Sequence, residues 1–373
     1  MDQIVVGCVQ LKIRLPQNRE ELEQHLLRFV RLAQTKRVRL LVFPQFTGLM
    51  AAALVAKGGR TGLLKQADRA RRTNASFWTR AQARLAGGAA GVLGADFGAA
   101  LEGLLLRQPD EVWESYTSLF SAIARHHGMT VVAGSSYIED PADGALRHMA
   151  LVFGPDGQLL GQQAAVTLPG DEHPLVEPGQ GWQAIQTPVG RLGLLIGSDA
   201  LFPEAGRLLG FAGAEALIGL GAVTKPVHIH RQRQGLLARV EDNQLYGMAS
   251  FAVGYNPFTP ADDTPYIGRS LIAAPAALTP RTNGILVEMG TDSTEGLITA
   301  EWSYQTLREH WASDDMTVRS GLPMDRVGST LAAVYGRQVT FDQANQLPAL
   351  PEPDSSMPES DSPPLLEPGQ SYE

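Results

Sequence analysis

The stretch GRLGLLIGSDALFPE, Gly190 to Glu204, decides how the rest of the chain is read. Its first half is an uninterrupted apolar run of strand length, and the Pro-Glu pair at its end opens a helical pattern. Between them sits a tight turn. Strand-to-helix turns of this kind often hold a nucleophile, because the side chain at the tip is exposed beside backbone N–H donors. Here the tip is Gly197, with no side chain, followed by Ser198 and Asp199.

Working outward, strands and helices alternate. QIVVGCVQL (Gln3 to Leu11) has the β-branched content of a strand, and the next segment repeats apolar residues at Leu22, Leu26, Leu27, Val30 and Leu32, an amphipathic helix. VRLLVFPQ is a strand ending at Pro44, EVWESYTSLFSAIARHHG a helix and MTVVAGSSYIE a strand. RHMALVFGPDGQLLGQQAAV is a hairpin turning at Pro155-Asp156-Gly157. Further on, PEAGRLLGFAGA reads as a helix, EALIGLGAV as a strand and RQRQGLLARVEDNQLYG as a helix. MASFAVGY, SLIAAPAAL and GILVEMG read as short strands. The alternation predicts an α/β fold, and the hairpins make its sheets mixed.

The 373 residues are 44% hydrophobic and 19% charged, an ordinary globular balance, and the net charge of −8 argues against whole-molecule attraction to nucleic acid. The single cysteine, Cys8, excludes an intramolecular disulfide, and its strand position reads as a buried small hydrophobe. The N-terminus lacks a basic region followed by an apolar core, and no apolar run is long enough to span a bilayer, so a soluble cytoplasmic protein is expected.

Two segments differ from the rest. Residues 51–107 form an insertion rich in Ala, Gly and Arg, with eight Lys/Arg and the single acid Asp68 between Ala51 and Arg84. A helical hairpin is expected there. Lys65, Arg69, Arg72 and Arg80 offer a cationic face for an anionic surface, and Phe77 and Trp78 an apolar edge. Residues 341–373 are Pro-rich and acidic, and read as a disordered tail.

The ordered pieces IVVGCVQL, LLVFPQFTGL, VVAGSSYIED, LVFGPDGQLLGQ, LPGDEHPLVEPGQ, GRLGLLIGSDALFPEAGRLLGFAGAEALI, ARVEDNQLYGMASFAVG and YIGRSLIAAP resemble the nitrilase, or carbon–nitrogen hydrolase, superfamily. The resemblance implies an α-β-β-α four-layer sandwich over residues 1–340, assembled as a homodimer or larger homo-oligomer. It also implies a Glu–Lys–Cys triad that hydrolyses amides and nitriles: the thiolate attacks, the glutamate moves protons and the lysine steadies the developing anion.

This sequence departs from that pattern at each triad position. The glutamate position is Gln45 in VFPQF, the lysine position is Ala165 in AAVTLP, and the cysteine position is Gly197 in GSDALFPE. No lysine occurs between Lys65 and Lys225, so a shifted register does not restore one. The expectation is a pseudoenzyme that binds or scaffolds, with no cofactor and no metal. Its pocket would be bounded by Gln45, Ala165, Gly197, Ser198 and Asp199, with Glu172 and Thr167 as further lining candidates. Two rivals are a hydrolase working through Ser198 or a Glu172-activated water, and an adaptor using the basic insertion. His228 and His230 in KPVHIH read as a polar loop or, less favoured, as a metal pair lacking a third ligand. Asp242 and Asn243 take the family's structural Glu-Asn pair.

Overall fold

The computed structural model describes residues 3–14, 16–55, 108–169, 176–256, 265–313 and 321–337. Of the expected insertion 51–107, residues 51–55 continue a buried helix and its turn, while residues 56–107, with Lys65, Arg69, Arg72 and Arg80, lie outside the described residues, as do Glu172 and the 341–373 tail.

Two six-stranded mixed sheets form the centre. The first joins β1 (Gln3–Lys12), β2 (Val38–Val42), β3 (Thr130–Glu139), β4 (Leu146–Phe153), β5 (Leu159–Ala164) and β12 (Gly296–Ser303) in the order β5-β4-β3-β2-β1-β12. The second runs β6 (Ala184–Thr187), β7 (Gly190–Ile196), β8 (Ala216–Gly221), β9 (Tyr246–Val253), β10 (Leu271–Ala273) and β11 (Ile285–Glu288). β1–β2–β3 and β7–β8–β9 pair in parallel, while the hairpins and outer strands are antiparallel. The sheets are linked where Leu11 and Lys12 pair with Ala252 and Val253.

Burial follows from the pleat. Val6, Cys8, Leu40, Val42 and Val152 of the first sheet share one core with Leu192, Leu194, Ile218, Met248 and Ile272 of the second. The opposite face of the first sheet packs on α1 (Arg19–Thr35), α2 (Thr47–Ala52) and α3 (Pro109–His127), through Leu26, Phe29, Tyr116 and Phe120. The outer face of the second takes α4 (Pro203–Phe211) and α5 (Pro226–Asn243), through Leu209, Leu236 and Val240. The layers are therefore α-β-β-α, as expected. Cys8 sits in the inter-sheet core with its thiol donating to the Ala249 carbonyl, and burial pushes its pKa far above the usual range.

Several boundaries differ from the sequence reading. α5 opens at Pro226, whose missing N–H is harmless in a first turn, so His228 and His230 are helical rather than in a loop or strand. Residues two apart on a helix face different ways, which removes the metal-pair reading. The same helix ends where Gln244 turns left-handed, freeing Tyr246 to start β9. The strand expected over SLIAAPAAL shrinks to Leu271–Ala273, with a 3-10 turn at Ala276–Leu278 after Pro275. α2, β12 and α6 (Tyr304–Trp311) are additions. β12 is fastened by Trp302 stacking on Tyr246 at 5.0 Å and by the Tyr246 hydroxyl donating to the Ser303 carbonyl.

The chain divides into two units, Met1–Arg319 and Ser320–Glu373. Within the second, the described residues form α7 (Met324–Tyr335). No helix among the described residues is long and apolar enough to cross a membrane.

Candidate functional site

Two strand ends meet in one place. β7 ends at Ile196, and Gly197 begins a 3-10 turn, Gly197–Leu201, with a left-handed φ of 57°. A Cβ built on Gly197 would face Gln45 alone, 3.7 Å from both its Oε1 and Nε2. Gln45 belongs to the turn after β2, and only 7% of its surface is exposed. Its Oε1 is buried and accepts no hydrogen bond among the described residues.

Asp199 ties a third segment to these two. Its fully buried carboxylate accepts from the backbone N–H groups of Thr167 at 2.8 Å, Val166 at 3.2 Å and Ile196 at 3.2 Å, and from the Thr167 hydroxyl at 2.8 Å. Burial pushes the Asp199 pKa up, while these donors act the other way. The bonds clamp residues 165–167 to the β7 turn, which brings Ala165 beside it. Ala165 is itself buried, and its N–H donates to the His148 carbonyl. Gln45 and Gly197 thus face each other from two strand ends, and Asp199 ties the segment after Ala165 to the same turn.

Among the described residues, the Ser198 hydroxyl meets only Thr167. Its hydroxyl donates to the Thr167 carbonyl at 2.9 Å and lies 3.0 Å from the Thr167 hydroxyl. Neither neighbour is a base. Thr167 and Asp199 serve the clamp, and Asn243 is likewise structural, its amide donating to the Arg239 carbonyl. Asp242 pairs with Arg239 at 2.8 Å.

Sequence reasoning missed a buried pair that supports the Gln45 turn. Phe46 is left-handed at φ 64°, and its N–H donates to the Ser135 hydroxyl at 3.2 Å. Ser135 in turn is 2.8 Å from His148 Nε2, and the His148 ring stacks on Phe46 at 5.0 Å. Burial lowers the His148 pKa to about 3, so the ring stays neutral near pH 7. The only sequence signal was a histidine beside Arg147 at the start of a strand that is apolar from Met149 on, which does not reveal a partner on the neighbouring strand. Among the described residues, no group of three or more His, Cys, Asp or Glu side chains could hold a metal ion.

The carbon–nitrogen hydrolase family matches residues 5–310. Among curated relatives, omega-amidase NIT2 of Homo sapiens is 31% identical over 142 residues, 35% of this chain and 50% of the relative. A probable hydrolase, YhcX, of Bacillus subtilis is 27% identical over 186 residues, 50% of this chain and 36% of the relative. The alignments thus span at most about half the length of these relatives. The fold is similar to Nit3 of Saccharomyces cerevisiae, with a TM-score of 0.57 at 19% identity over 85% of this chain and 96% of Nit3. It is also similar to an amidase from Nesterenkonia sp., with a TM-score of 0.53 at 17% identity over 83% and 93%. With the family matched across both sheets and through the turns that carry Gln45 and Gly197, the chain belongs to the carbon–nitrogen hydrolase family.

Proposed function

We propose that this chain is a family member without the family's thiol chemistry, acting as a cytoplasmic binding or scaffold protein. The observation that carries the reading is the pairing of Gly197 with Gln45. Where the resemblance sets a nucleophile and its base, there is a hydrogen atom facing a carboxamide 3.7 Å from the Cβ position. An amide is no proton acceptor near neutral pH, and Ala165 supplies no cation. Gln45 and Gly197 therefore add no charge where they face each other, and among the described residues Gln45 Oε1 is an unused acceptor, suited to a ligand that donates a hydrogen bond. Among the described residues, the partners of the Ser198 hydroxyl are the Thr167 carbonyl and hydroxyl, neither of them a base.

Ammonia release from a panel of short primary amides and nitriles tests the reading. The expected rate equals the protein-free control. Saturable turnover would overturn it, and Ser198→Ala and Glu172→Gln would then locate the chemistry. A second test is gain of chemistry. The triple variant Gln45→Glu, Ala165→Lys, Gly197→Cys should yield a thiol that reacts with iodoacetamide faster than a model peptide at pH 7.

A homodimer is part of the proposal. Leu201, Phe202, Leu208 and Phe211, exposed by 39–61%, follow the Gly197 turn along α4 and form an apolar face suited to a second copy. Light scattering should show a dimer, and Leu208→Glu with Phe211→Glu should give a monomer.

A further inference from the structure

A cleft of about 250 Å³ lies on the far side of the first sheet from the inter-sheet core, between α1, α2 and the segment after β1. Its walls are Arg14, Pro16, Glu21, Leu22, Gln24, His25, Arg28 and Met50. The charged groups are sorted along it. Arg14 and Arg28 both reach the Glu295 carboxylate, which places their guanidinium groups together at one end. His25 Nε2 lies 3.2 Å from the Lys12 carbonyl and 4.0 Å from the same carboxylate, and burial lowers its pKa. Glu21 marks the other end, near Pro16, where its carboxylate accepts the Gln17 N–H at 2.7 Å. Glu21 and Arg28 are two turns apart on one face of α1, roughly 10 Å along the axis at 1.5 Å per residue.

Leu22, Met50 and Pro16 give the cleft an apolar wall, beside the polar Gln24 and His25. Leu22 and Met50 are buried, and the Met50 sulfur accepts the Arg14 N–H at 3.3 Å. Two guanidinium groups share one carboxylate and, among the described residues, leave most of their N–H donors unused, with Arg14 and Arg28 side chains 43% and 57% exposed. Counting Glu21, the cleft is neutral overall but strongly dipolar. A simple anion meets the repulsion of Glu21 and Glu295, and a simple cation meets two arginines.

We infer that this cleft binds a linear ω-amino acid as its zwitterion. The ligand carboxylate sits on Arg14 and Arg28, its ammonium on Glu21, and its methylene chain on Leu22, Met50 and Pro16. Charge-assisted bonds at both ends fix the length of the chain between them. The site is independent of Gln45 and Gly197, and it stands whether or not the inter-sheet pocket turns over an amide.

Calorimetric titration of the full chain tests this, with 6-aminohexanoate as the probe. L-Norleucine, an isomer with both charged groups on one carbon, is the first control, and hexanoate and hexylamine each lack one end. Saturable binding of 6-aminohexanoate is expected, with each control at least about tenfold weaker. Arg28→Gln and Glu21→Gln should each lower the affinity about tenfold or more, and Gln45→Met should leave it unchanged. Arg28 is the decisive variant because its exposure lets the fold survive, which a melting curve checks. The inference is overturned by absent saturable heat, by norleucine or hexanoate binding as tightly as the probe, or by affinity that survives Arg28→Gln. Loss of binding in Gln45→Met would overturn it too, by moving the ligand to the inter-sheet pocket.

Discussion

The turns after β2 and β7 are built alike and anchored in opposite ways. Each ends a parallel strand, each holds one left-handed residue, Phe46 or Gly197, and each opens on the same space. The β7 turn hangs on a charge: the Asp199 carboxylate gathers donors from Thr167, Val166 and Ile196. The β2 turn hangs on neutral groups, the Ser135–His148 pair and the stacked Phe46 ring, with the Thr47 hydroxyl donating to the Pro44 carbonyl. The supports are intact in both, and the tips they hold carry Gln45 and Gly197.

The sharpest test sets two glycines against each other. Gly134, under the β2 turn, and Gly197 are both left-handed, yet a Cβ on Gly134 would lie 2.2 Å from the Pro44 carbonyl oxygen. Gly134→Ala should destabilise by about 4 kcal/mol or more, because backbone blocks backbone. Gly197→Ala should cost about 1 kcal/mol, from φ alone. Urea unfolding measures both, and equal effects would break the contrast.

Next comes the clamp. Asp199→Ala strands several buried N–H groups at about 1–3 kcal/mol each, so a loss of roughly 3 kcal/mol or more is expected in the same assay. A loss below about 1 kcal/mol would mean that the carboxylate does not hold the turn.

The neutral anchor predicts a pH effect. His148 has a folded pKa lowered to about 3, so between that value and about 6.5 the unfolded chain binds more protons than the native one. Its contribution is complete above pH 6.5 and is lost as pH falls, at up to about 1.4 kcal/mol per unit. His148→Asn should flatten the stability curve between pH 6.5 and 5. An unchanged slope would assign the acid sensitivity elsewhere.

The smallest effect belongs to Gln45. Gln45→Met removes a buried acceptor that has no partner among the described residues, at similar volume. Stability should hold or rise by up to about 1 kcal/mol. A marked loss would reveal a partner for Oε1.

Local pattern made most of the layers legible. The apolar spacing of α1, the Pro-Asp-Gly hairpin and the runs of β1, β7 and β8 each declare themselves within about ten residues. β12 does not, because its residues are mostly half-buried and its partner β1 lies almost a chain length away. The turns that carry Gln45 and Gly197 were legible through the motifs that flank them, VFPQF and GSDALFPE. The Ser135–His148 contact was not, since it depends on the β3–β4 register, which shifts between Val132 and Ser135. Nor was the gathering of Arg14 and Arg28 on Glu295, which only the tertiary fold brings together.

The pairing of β1 with β12 also sets a timetable for making the molecule. Gln3 lies opposite Ser303, so ribosomal synthesis delivers the first strand long before its antiparallel neighbour. At about 5–20 residues per second, β1 waits roughly 15–60 s with one edge bare. β2 covers the other edge early. The open edge is an apolar, β-branched template of the kind that recruits foreign strands. Holding it apart until β12 arrives is a task for the nascent chain's surroundings, and crowding by other unfinished copies is the hazard.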